Sequence, residues 1–147
     1  MAALKDRIAA DLKEAMKARD QLRLDTLRSA ISAFTYKRSE AGADLGDADE
    51  VAVVQRLVKQ RNDALAEFEK ANRADLADKE RAERDILSTY LPQQKSEDEI
   101  RVLVRGVLAE LPAENRNQGA AMKAVMPQLK GLADGNLVRR IVAEELQ

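Results

Sequence analysis

Five cations near the C-terminus are the residues best placed to do chemistry: Arg116, Lys123, Lys130, Arg139 and Arg140. Between residues 115 and 140 they stand against Asp134 alone, an excess of positive charge suited to phosphate oxygens. The joint among them reads Lys130-Gly131-Leu132-Ala133-Asp134-Gly135. Gly131 falls where a helix ends in a left-handed cap, and Asp134 falls where the next helix takes its N-cap. Four cations around one turn suggest an anion-binding corner that favours phosphate, and surface charge for solubility is the other reading of any single one of them. Capping alone accounts for Gly131 and Asp134, and Gly135 supplies permissive backbone, so these read as structure and the cations as contacts.

What the chain lacks narrows the rest. It has no histidine and no cysteine, which removes the Ser-His-Asp triad, the Cys-His pair, the thiolate nucleophile, the ordinary zinc site and any disulfide framework. There is no P-loop and no Gly-rich phosphate cradle. No catalytic residue, no cofactor and no metal site is therefore expected. Asp44, Asp47, Asp49 and Glu50 lie close together without the spacing of an EF-hand, and read as loop charge and capping. Glu80 and Glu83 share a helix face and read as solvated rather than as an acid and base pair. Of the four aromatics, Phe34 and Phe68 fall on apolar stripes, so an aromatic platform for base stacking is not expected. No apolar run approaches the roughly 20 residues of a membrane span. The opening MAALKDRIAADLKEAM carries acids within its apolar period and reads as mature helix, so the expected location is cytoplasmic.

The elements that must position these residues are all helical. Alanine, leucine, arginine, glutamate and lysine dominate the 147 residues, only three prolines interrupt them, and no segment alternates with a strand period. Leu4, Ile8, Leu12, Ala15 and Met16 make a first apolar stripe, and Leu24, Leu27, Ile31 and Phe34 a second that ends before Gly42. The segment from Glu40 to Asp49 is a surface loop, and Asp47 to Glu50 has the spacing of a capping box for a third helix. Val51, Val54, Leu57, Val58, Leu65 and Phe68 continue that helix to a break at Asn72. Leu76, Ile86, Leu87 and Leu91 follow in a fourth, stopped by Pro92. Tyr90-Leu91-Pro92 reads as a helix end with an aromatic ring packed beside it. Ser96 to Glu99 is a second capping box, opening a helix through Ile100, Leu103, Val104, Val107 and Leu108. In the last third, Met122 and Met126 lie one turn apart as core filler, and Pro127 is expected to kink or split their helix. The fold class is all-α: a long-helix N-terminal subdomain over residues 1–92 and a small three-helix C-terminal subdomain over residues 96–147. Charge is uneven, with nine Lys or Arg against five acids in residues 1–39 and nine against sixteen in residues 40–99. The basic zones therefore lie toward the two ends.

Lys59 to Ile100 resembles the centre of the GatB/YqeY domain family, and QGAAMKAVMPQLKGLADGNLVRRIVAEEL resembles its closing signature. TLRSAI at Thr26 to Ile31 resembles its opening, so the likeness covers nearly the whole chain. Its most specific points are YLPQQ from Tyr90 to Gln94, with Pro92, and Gly119, Met122, Lys123, Lys130, Gly131, Ala133, Asp134 and Gly135. Ala120 and Leu132 depart from it, standing where family members often carry a lysine and an arginine. The resemblance implies an all-helical fold of two subdomains. It further implies a free-standing relative of the tail of the B subunit of glutamine-dependent tRNA amidotransferase, a carbon-nitrogen ligase. The implied role is binding tRNA, or a protein of the translation or tRNA-modification machinery, without catalysis by this chain alone. A helical protein-interaction adaptor that binds no RNA is the alternative.

Overall fold

A computed structural model describes residues 3–147, and among them the chain is all-α, with seven α-helices and no strand. It divides into two compact units, one ending at Leu91 and the other running Pro92–Gln147.

The first unit contains α1 (Leu4–Ala18), α2 (Gln21–Ala41), α3 (Asp47–Lys70) and α4 (Ala74–Ser88). Tight turns with local causes join them. Arg19 takes a left-handed conformation at φ 56°, and Asp20 then caps α2 by accepting the Arg23 N–H at 3.2 Å. Gly42 closes α2 at φ 70°, where a side chain would be strained. Asn72 turns the chain between α3 and α4 at φ 57°. The core gathers Leu4 and Ile8 of α1, Leu27, Ala30 and Phe34 of α2, Val54 and Leu57 of α3, and Leu87 with Tyr90 at the end of α4.

Several details depart from the sequence pattern. Met16 is 52% exposed, because the buried face of α1 follows Leu4, Ile8 and Ala15 and leaves Met16 at its edge. Asp47 and Glu50 form no capping box: Gly46 is the N-cap of α3 and offers no side chain. Glu50 is buried and instead accepts the backbone N–H of Lys5 at 3.2 Å, supplying an acceptor to the first turn of α1. Helix α4 ends at Ser88 rather than at Pro92. There the Ser88 hydroxyl donates to the Arg84 carbonyl and the Thr89 hydroxyl to that of Ile86. Glu83 is not solvated: it lies 3.6 Å from Arg61, and both side chains are largely buried.

The second unit contains α5 (Glu97–Glu110), a 3-10 turn (Ala113–Asn115), α6 (Gln118–Leu129) and α7 (Gly135–Glu145). Ser96 and Glu99 complete a reciprocal capping box on α5, and the Ser96 backbone N–H holds the Glu99 carboxyl below the usual carboxylate range. Asn117 caps α6 and Asp134 caps α7. Between these helices Gly131 sits at φ 80°, as a left-handed turn requires. Helix α6 runs through Pro127 undivided. One stripe from each helix fills the core: Ile100, Val104 and Leu108, then Ala121, Val125 and Leu129, then Val138, Ile141 and Val142. Met122 and Met126 pack at its margin. Residues 94 and 95 are tied to the α6–α7 turn, since Lys95 N–H donates to the Leu132 carbonyl at 2.8 Å and the Gln94 amide to that of Gly131 at 2.9 Å.

Candidate functional site

The helices of the second unit sort the five C-terminal cations into two groups. On α7, Val138, Ile141 and Val142 face the core, which places Arg139 and Arg140 on opposite flanks. Arg140 faces α5. Its guanidinium meets Glu97 of α5 at 3.2 Å and Glu144 at 3.2 Å. Arg101 joins the same network through Glu144 at 2.8 Å and Glu97 at 3.3 Å, and Arg105 pairs with Glu145. The Arg101 hydrogen bond holds the Glu144 carboxyl below the ordinary carboxylate range. Three arginines and three glutamates thus neutralise one another across α5 and α7.

The other four cations, three of them on α6 or at its ends and Arg139 on α7, are exposed, and among the described residues none forms an ion pair with a carboxylate. Arg116 precedes the helix, and its guanidinium donates to the Leu111 carbonyl at 2.9 Å, which orients it without cancelling its charge. Lys123 lies midway, on the side opposite Ala121 and Val125. Lys130 is the C-cap. Arg139 is joined to the first turn of α6 by the Gln118 amide, which donates to the Arg139 carbonyl at 3.2 Å, and its guanidinium donates to the Asn136 side chain. A helix of 12 residues is about 18 Å long, so Arg116, Lys123 and Lys130 are spread along α6 rather than gathered at one corner. Asp134, the nearest acid in sequence to Lys130, accepts the Leu137 N–H in its capping role.

The remaining motif residues take backbone and packing positions. Gly119 lies in the first turn of α6, Gly135 opens α7, and Met122 packs against the margin of the core. Tyr90 is buried in the first unit, where its hydroxyl donates to Asp11 at 2.5 Å and the Arg7 guanidinium lies 5.4 Å from the ring centre. Burial first, and then the Asp11 carboxylate, push its phenol up to about 12. Pro92 opens the second unit.

Sequence reasoning missed two arrangements that depend on distant partners. One is the Arg101, Arg105 and Arg140 network, whose only local signal is the i,i+4 spacing of Glu97 with Arg101 and of Arg140 with Glu144. The other is Arg61, which reaches Ser29 of α2 at 3.2 Å and Glu83 of α4 while its Nε makes no hydrogen bond. No group of three acidic side chains among the described residues could hold a metal ion, and no helix is long and apolar enough to cross a membrane.

Comparison with known proteins fits this architecture. Residues 5–146 match a family model described as Yqey-like protein. Proteins named "Altered inheritance of mitochondria protein 41, mitochondrial" are similar along much of the chain. That of Pyrenophora tritici-repentis is 31% identical over 141 residues, covering 94% of this chain and 78% of the relative. That of Lachancea thermotolerans is 41% identical over 108 residues, covering 71% of this chain and 58% of the relative. The chain thus spans little more than half of the Lachancea protein. The expectation of a cytoplasmic location is corrected here: it rested on the absence of a recognisable leader, whereas the relatives are mitochondrial by name. With its model matched almost end to end, the chain belongs to the YqeY-like protein family.

Proposed function

We propose that this chain is an accessory module that holds structured RNA of the tRNA class by its phosphates, through Arg116, Lys123, Lys130 and Arg139, and does no chemistry on it alone. The observation that carries this reading is the division of charge in the second unit. Arg140 and its neighbours are paired with glutamates, while four exposed cations, three spread along α6 and one on α7, are left without carboxylate partners among the described residues. Glutamate neighbours offset the charge of Arg140, whereas cations without such neighbours release counterions when they meet a phosphate backbone. Cations spread over the length of α6 suit a backbone track better than a pocket for one small anion. The likeness of this region to the tail of a tRNA amidotransferase subunit supports tRNA as the RNA class, with a protein of the translation or tRNA-modification machinery as the companion. The names of the relatives support a mitochondrial place of action.

The direct test is ultraviolet crosslinking of the tagged full chain in cells, followed by sequencing of recovered RNA and identification of recovered protein. The expected result is enrichment of tRNA that is lost in the variant with all four cations changed to alanine. Recovery of protein alone would favour the adaptor reading.

A further inference from the structure

We infer that a second copy of this chain docks in the groove between α2 and α3 of the first unit, by antiparallel pairing of the two α3 helices. The groove measures about 510 Å³ and is flanked by the C-terminal half of α2 and the N-terminal half of α3. Tyr36, on the α2 wall, is 70% exposed. The α3 wall presents Asp49, Ala52, Val53 and Arg56, a spacing of i, i+3, i+4 and i+7 that keeps all four on one face. Asp49 and Arg56 are exposed, and neither forms an ion pair among the described residues.

This face is complementary to itself. When two α3 helices run antiparallel about a twofold axis passing between Ala52 and Val53, Asp49 of each copy faces Arg56 of the other, because the two residues are equally distant from the axis. Both charges gain an opposite partner at once. Ala52 is exposed and small, so the backbones can approach closely at the crossing. The second copy's α3 then lies over the groove beside Tyr36, and the symmetry places the first copy's α3 in the equivalent groove. An antiparallel helix from an unrelated protein would need an acid and, at the same separation further along its chain, a base. The chain already carries that arrangement.

Sedimentation of the full chain tests the assignment. The wild-type protein should pass from one chain to two as its concentration rises from low micromolar to submillimolar. D49R and R56E, each alone, should weaken association by about tenfold or more, since each sets like charges together at both symmetry-related contacts. An equimolar mixture of D49R with R56E should recover wild-type association, because the mixed pair restores opposite charges at both contacts. Y36S should weaken association without altering charge. The mixture contains the same chains as the separate samples, so its recovery also shows that both variants are folded. A wild-type chain that stays single throughout, variants that associate as tightly as wild type, or a mixture no tighter than its components would overturn the inference.

Discussion

Tyr90 shows how a residue that reads as a mere helix end carries a long-range bond. Its hydroxyl reaches back 79 residues to Asp11, which also lies 3.8 Å from Arg23 of α2. The end of α4 is thereby pinned to the α1–α2 pair by one buried phenol and one carboxylate. Changing Tyr90 to Phe should cost about 2 kcal/mol in urea unfolding, the usual scale for a hydrogen bond to a charged group. The pH dependence has a definite sign. Folding raises the phenol's pKa from 10.0 to about 12, so the folded chain keeps a proton that the unfolded chain loses first. The stabilisation is complete below pH 10 and disappears as pH rises toward 12. The gap between wild type and Tyr90→Phe should therefore be constant at neutral pH and close over that alkaline window. A gap that widened there would mean that the phenolate, not the phenol, is the bonded form.

At the scale of elements, helix ends were legible in the sequence and helix faces only partly so. Ser96 with Glu99 and Asp134 each bond within three residues, and Gly42 and Gly131 need only their own backbone conformation. Such signals survive without knowledge of the fold. Asp47 and Glu50 have the same spacing, but Glu50 turns instead to Lys5, 45 residues away, because the packing of α1 against α3 buries it there. Glu83 was unreadable for a related reason. Its partner Arg61 stands on α3 and reaches on to Ser29 of α2, and nothing local in the sequence marks Glu83 out from Glu80. Since the Arg61 side chain is only 15% exposed, Glu83→Ala should leave a buried, unpaired guanidinium and destabilise the first unit by about 3 kcal/mol. The double change Arg61→Met with Glu83→Leu should recover most of that loss, because it removes both charges and keeps the volume. Thermal unfolding of the two variants beside wild type checks the pair. A double variant as unstable as the single one would show that the ion pair itself, and not the stranded charge, is what matters.

Across the whole molecule, the near balance of 25 basic and 26 acidic residues hides a sharp local division. Counting charge along the chain located the basic segment from Arg116 to Arg140, but could not separate its members, since Arg140 is neutralised by Glu97, 43 residues away. The set of candidate contacts proposed above therefore leaves out Arg140 and keeps Arg116, Lys123, Lys130 and Arg139. That substitution gives the central claim its sharpest test. Affinity for a tRNA transcript is measured by fluorescence anisotropy across a salt series for wild type, for Arg140→Ala, and for the variant with Arg116, Lys123, Lys130 and Arg139 all changed to alanine. Four phosphate contacts predict a wild-type log-log slope of roughly −3, a nearly unchanged slope for Arg140→Ala, and a slope near zero for the fourfold variant, whose helical signal should persist because exposed charges contribute little stability. Salt-independent binding by the wild type, or a fourfold variant that keeps the wild-type slope, would contradict it.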